Sequence, residues 1–114
     1  MIVVREVSAL SGKELGDLSA ILIGVVNDGA SIGWLDTPSP DDATTYWKST
    51  VHPGNILLLA YEKDRVVGTA QLELAQRANG RHRAEVNKVL VHPDLQGKGI
   101  GRLLMAEVEA AALR

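Results

Sequence analysis

Val89-Leu90-Val91-His92-Pro93-Asp94-Leu95-Gln96-Gly97-Lys98-Gly99-Ile100-Gly101-Arg102 is the stretch on which the reading of this 114-residue chain turns. It passes from an apolar, β-branched segment through His92-Pro93 into three alternating glycines. A helical pattern follows, with Leu103, Leu104, Val108 and Ala111 apolar. A strand that ends in a glycine-rich turn and opens a helix is a phosphate cradle in outline. Residues without Cβ let the backbone come close to a ligand, and the N–H groups at the helix start, aided by its dipole, favour an anion. Lys98 and Arg102 beside the glycines suit phosphate contact. A tight reversal of the chain with ordinary surface charges would read the same way.

Two nucleotide motifs are disfavoured by the same residues. A P-loop needs Gly-Lys-Ser/Thr, and Gly99 is followed by Ile100, which has no hydroxyl for Mg²⁺. A dinucleotide fingerprint would place its third glycine where Arg102 stands and would need an acidic residue roughly 20 positions further on.

Working outward, Ala84 opens a strand over 84–91. Before it, 56–61 is a continuous apolar run, 62–65 a polar turn, and 66–74 an alternating segment with Ala70, Leu72 and Leu74 on one face, which predicts a hairpin. Ser11-Gly12-Lys13-Glu14 is a capping box. It opens a helix with Leu15, Leu18, Leu22 and Val25 apolar, closed by Asn27-Asp28-Gly29. Ser39-Pro40 starts a second, shorter helix over 41–50. Ile2, Val3, Val4 and Val7 make a first strand, and the final helix runs over 100–113. The order is βααβββα, and the Gly/Ser/Pro-rich segment 29–39 is a loop placed to border a site.

Hydrophobic residues make up 46% of the chain and aromatic residues only 4%, so an aliphatic core in one α/β domain over 1–114 is expected. A net charge of −2 and an isoelectric point near 5.9 supply no field that draws a domain to nucleic acid or anionic lipid. Absence of cysteine removes thiol catalysis and disulfides. No signal-like segment or membrane span is readable, so a cytoplasmic protein is expected. His52, His82 and His92 lack ligand spacing, and no metal is expected.

Gln96, Gly99 and Gly101 after the strand 85–93 match the Gln/Arg-x-x-Gly-x-Gly/Ala signature, and the chain resembles the GNAT N-acetyltransferases. Within that family it looks most like the tabtoxin-resistance acetyltransferases, through Gly29-Ala30-Ser31-Ile32-Gly33, Ala70-Gln71-Leu72, Asn79-Gly80 and Arg83-Ala84-Glu85-Val86. The resemblance implies a mixed central sheet flanked by helices and acetyl-CoA as co-substrate. It implies a pyrophosphate held by Gln96, Gly97, Lys98, Gly99, Ile100, Gly101 and Arg102, and a pantetheine arm paired with the backbone of Val89, Leu90 and Val91.

Direct transfer needs a neutral amine, and an amine of pKa 10.4 is uncharged in only about one molecule in 2,500 at pH 7. Glu85, eleven residues before Gln96, has the spacing at which some members of the family place a general base. The alternative is a solvent-facing strand residue neutralised by Arg81, Arg83 or Lys88. The thioester oxygen would meet a strand N–H from Val89 or Leu90. Trp34 is a candidate wall of the acceptor pocket, while Tyr46 and Trp47 read as core.

Members of the family continue beyond the helix 100–113 with further strands and a helix. The resemblance therefore implies a fold lacking its C-terminal strands and helix, with no counterpart of the family's usual tyrosine acid. An uncovered edge beside the strand 84–91 invites a homodimer or a complementing chain. The expected activity is acetylation of a small-molecule amine; a protein-amine acceptor and a non-catalytic, CoA-binding or self-associating module are the alternatives.

Overall fold

The computed structural model describes residues 1–29, 36–76 and 82–113, with the backbone alone for 74–76 and 82–88. The elements are β1 (Ile2–Val7), α1 (Gly12–Asn27), α2 (Pro40–Ser49), β2 (Asn55–Glu62), β3 (Arg65–Gln76), β4 (His82–Val91) and α3 (Ile100–Ala112), with a single 3₁₀ turn at Pro93–Leu95. The βααβββα order read from the sequence holds.

Local chemistry explains the helix starts. Ser11 Oγ accepts from the Glu14 N–H at 3.1 Å while Glu14 Oε1 accepts from the Ser11 N–H at 2.8 Å, so two donors without intrahelical partners are satisfied reciprocally. The second carboxylate oxygen of Glu14 accepts from the Tyr61 hydroxyl. The Ser11 backbone bond first, and the Tyr61 bond second, hold the Glu14 carboxyl below its usual range. Burial and then the Glu14 bond push the Tyr61 phenol above its ordinary value. At α2, Pro40 fills the first turn and Ser39 Oγ accepts from the Asp42 N–H at 3.1 Å.

The four strands form one sheet in the order β1-β2-β3-β4, and each pairing is antiparallel. A mixed sheet was expected. Each of these strands instead lies beside its neighbour in sequence, and no connection returns the chain to the starting end of the strand before, as a parallel pair requires.

Both faces of the sheet are covered. On one face Leu18, Ile21, Leu22 and Val25 of α1 and Trp47 of α2 pack on Leu57, Leu59, Val66 and Leu90. On the other, Ile100, Leu104, Val108 and Ala111 of α3 pack on Leu58, Ala60, Val67, Ala70 and Leu72. Burying each large aliphatic side chain contributes about 1.5–3 kcal/mol, which is why the alternating pattern of β3 gives way to burial on both sides. Thr69 and Gln71, which alternate with Ala70 and Leu72 and so lie on the other face of β3, are 0% and 4% exposed. Each is hydrogen-bonded: Thr69 Oγ1 donates to the Leu58 carbonyl at 2.9 Å, and Gln71 joins a side-chain chain described below. The Trp47 indole N–H, by contrast, is buried without a partner.

One close approach fixes where α3 begins. A Cβ on Gly68 of β3 would stand 3.1 Å from both Ile100 Cγ2 and Leu104 Cδ1. Lacking it, β3 admits the first turn of α3 directly against the sheet, beside the end of β4.

Candidate active site

The connection from β4 to α3 is held by local bonds. The His92 N–H donates to the Val67 carbonyl at 2.8 Å, His92 Nδ1 accepts from the Asp94 N–H at 3.1 Å, and the Leu95 N–H donates to the His92 carbonyl at 2.9 Å. The chain then turns through Gly97 at φ +83° and Gly99 at φ +85°, left-handed conformations that cost other residues about 1–2 kcal/mol. Among the described residues, no atom beyond the adjoining residues of the chain lies within 4 Å of where a Cβ on either glycine would stand. The space they leave is therefore open and is not used for packing.

Gly99 is the N-cap of α3 and has no side chain with which to cap it. The first intrahelical bond recorded there is Leu103 N–H to the Gly99 carbonyl, at 3.1 Å. The N–H groups of Ile100, Gly101 and Arg102 precede it, as the orphan donors of a helix start do. Gly97, Gly99, Gly101 and Arg102 line a hollow of about 450 Å³ at this point.

Not every residue of the loop faces that hollow. The Ile100 side chain is 4% exposed and belongs to the core, so only its backbone is available to a ligand. Gln96 folds back, its Nε2 donating to the Val91 carbonyl at 3.4 Å. Lys98 is exposed and does not line the hollow.

β4 is an edge of the sheet among the described strands. Its pairing with β3 slips in the middle: Thr69 stands opposite Leu90 and Gln71 opposite Asn87, so that one residue of β3 between these rungs faces two of β4. The extra residue of β4, between Asn87 and Leu90, is a bulge, which twists a strand and re-aims its backbone groups. Beyond it Glu85 stands opposite Glu73 in register. The side chain of Glu85 and all of Trp34 lie outside the described residues, as do Arg81 and the side chains of Arg83 and Lys88. Of the expected site, the structure therefore brings together the loop 96–102 and the bulged strand end 89–91, with Glu85 two residues before the bulge.

A polar chain that sequence reasoning missed adjoins this region. Asn55 Nδ2 donates to the Thr50 carbonyl at 2.9 Å and to Gln71 Oε1 at 3.2 Å, and Gln71 Nε2 donates to the Tyr46 hydroxyl at 3.1 Å. Tyr46, expected in the core with Trp47, is half-buried and contributes its hydroxyl to this chain, while Trp47 is fully buried. The sequence carries little signal for this, because Gln71 alternates with Ala70 and Leu72 as a solvent-facing strand residue would. Among the described residues no group of three or more His, Cys, Asp or Glu could hold a metal, and no helix is long and apolar enough to cross a membrane.

Known proteins share this geometry. An uncharacterized N-acetyltransferase from the hisH–hisA intergenic region of Azospirillum brasilense is 29% identical over 114 residues, which cover 97% of this chain and 68% of that protein. The crystal structure of ribosomal-protein-alanine N-acetyltransferase from Brucella melitensis superposes with a TM-score of 0.76 at 25% identity, over 96% of this chain and 66% of its own. That of aminoglycoside 6′-N-acetyltransferase complexed with coenzyme A does so with a TM-score of 0.72 at 16% identity, over 96% and 54%. The sequence pattern of the acetyltransferase (GNAT) family matches residues 23–114. That span contains β2, β3, the bulged β4 and the glycine turn into α3, so the chain belongs to the acetyltransferase (GNAT) family.

Proposed function

We propose that this protein transfers the acetyl group of acetyl-CoA to the primary amine of a small molecule, in the manner of the family's antibiotic- and toxin-resistance members, and does so in the cytoplasm. One observation carries the cofactor assignment: a helix start that no side chain caps, reached through two left-handed glycines with open space where their Cβ atoms would be. Such a start suits a pyrophosphate, through the N–H groups of Ile100, Gly101 and Arg102 and the Arg102 guanidinium. Lys98 adds positive charge nearby.

The edge of β4 suits the pantetheine arm, which would pair with the backbone of Val89, Leu90 and Val91 as an added strand does. Bound acetyl-CoA supplies the acetyl group as a thioester. At the bulge, the N–H of Val89 or Leu90 would donate to the thioester oxygen as it gains charge during transfer, a contact worth about 3 kcal/mol. Glu85 would accept the proton that the amine must lose, directly or through water, as the amine nitrogen bonds to the acetyl carbon, the C–S bond breaks and coenzyme A leaves as a thiolate that is protonated by solvent. Trp34 walls the acceptor side.

A second reading, acetylation of a protein amine, is favoured by the likeness to the Brucella enzyme, whose name specifies a ribosomal-protein alanine. The exposed edge of β4 also suits pairing with a second copy or a complementing chain, and size-exclusion chromatography as a strict monomer would count against that.

Calorimetric titration with acetyl-CoA, followed by measurement of coenzyme A release with an amine panel, tests the reading. Saturable binding and amine-dependent release are expected, with Glu85→Gln lowering kcat by about 10²-fold or more. Binding without release would make the protein a CoA-binding module. An unchanged rate in Glu85→Gln would return Glu85 to a surface role.

A further inference from the structure

The polar chain Asn55–Gln71–Tyr46 forms the floor of a second hollow, of about 180 Å³, between the end of α2 and strands β2 and β3. Its position is set by register. Gln71 stands opposite Asn87 and Glu73 opposite Glu85, so the hollow adjoins the rungs that follow the β4 bulge. Directly opposed antiparallel residues have Cα atoms about 4.5–5.5 Å apart, which brings the rim of the hollow beside the backbone of the proposed base.

The floor is built and held. Gln71 is 4% exposed, and its amide is bonded at both ends, to Tyr46 and to Asn55. Asn55 is anchored in turn on the Thr50 carbonyl. Burying an amide in place of an aliphatic residue contributes little to stability, and a fully bonded network orders its members. Ser49 and His52 add further polar groups to the wall. Glu73 is exposed at the rim and is the one carboxylate among the described lining residues. The hollow therefore offers hydrogen-bond partners and negative charge, with space for about six waters.

We infer that this hollow is the recognition pocket for the acceptor, and that Glu73 selects acceptors carrying a second ammonium group next to the one that is acetylated. The inference rests on the transfer reading above and adds the substrate class, small diamines or polyamines. The amine to be acetylated lies toward Glu85. The second ammonium lies against the Glu73 carboxylate, with the hydroxyl and amide groups of the floor bonding whatever polar groups lie between. Glu73 is a specificity residue in this scheme and takes no part in the proton transfer.

The test uses 1,4-diaminobutane and 1-aminobutane, matched in chain length and different by one ammonium. Each is titrated into the ¹⁵N-labelled protein with coenzyme A present, and amide shifts are followed. The diamine is expected to bind at least about tenfold more tightly, with shifts at Asn55, Gln71 and Glu73, and Glu73→Gln is expected to erase the difference. Equal affinity for the two amines would overturn the inference, as would a diamine preference that survives Glu73→Gln. Calorimetry with acetyl-CoA on the same samples keeps the two claims apart. Failure to bind acetyl-CoA overturns the transfer reading, whereas equal binding of the two amines overturns only the acceptor assignment.

Discussion

Two helix starts in this molecule solve the same problem in opposite ways. At α1, Ser11 and Glu14 satisfy each other's backbone donors, and Glu14 extends the network to Tyr61. At α3, Gly99 offers no side chain, the chain enters through left-handed glycines, and a hollow of about 450 Å³ lies in front of the helix. The first arrangement contributes to stability on its own account. The second forgoes a cap, and Ser, Thr or Asp there would contribute about 1 kcal/mol. A helix start left this way, within a member of the acetyltransferase (GNAT) family, is where the proposed cofactor contact is placed.

The contrast can be broken most forcefully at α3. Gly99→Glu should lower acetyl-CoA affinity by about 100-fold, roughly 2.7 kcal/mol, by placing a carboxylate at the proposed pyrophosphate position. Because that variant also strains the left-handed backbone, Gly99→Asn, which tolerates the conformation, should keep the melting temperature closer to wild type and still weaken binding. Arg102→Gln should weaken acetyl-CoA by about tenfold, measured by calorimetry, and should flatten the salt dependence of binding. Ser11→Ala should cost about 1 kcal/mol in denaturant unfolding and leave acetyl-CoA affinity unaltered, because its cap serves only the fold.

The smallest effect expected is one of pH. Folding holds the Glu14 carboxyl below its usual value, chiefly through the Ser11 N–H, so the folded state binds this proton more weakly than the unfolded chain. The resulting stability is present above the ordinary carboxylate pKa and is lost as pH falls through the lowered value. Glu14→Gln should remove that part of the acid slope in urea melts as pH falls below the ordinary carboxylate range, while acetyl-CoA affinity at neutral pH stays the same.

Legibility followed the range of the interactions. Both caps span three residues, Ser11 with Glu14 and Ser39 with Asp42, and a reader of the sequence meets both partners together. The strands, the hairpin and the start of α3 at Ile100 were legible for the same reason, since periodicity and glycine placement are local. The β4 bulge was not, because one extra residue between Asn87 and Leu90 leaves the apolar pattern of the strand unchanged and shows only against β3. Burial of Gln71 was not legible for a related reason. Alternation along β3 tells which residues share a face but not that α1 and α2 cover the second one. The Glu73–Glu85 rung and the Tyr46–Gln71 bond likewise join residues far apart in sequence. Of the candidate site, the glycine turn was readable and the Asn55–Gln71–Tyr46 chain was not.

The most direct test of the central claim is a ¹⁵N amide titration with acetyl-CoA, which reports on both helix starts in one experiment. Saturable shifts are predicted for Gly97 to Arg102 and for Val89 to Val91, with Ser11 to Leu15 unmoved. Shifts confined to the α1 start, or an unchanged spectrum at millimolar acetyl-CoA, would contradict the account.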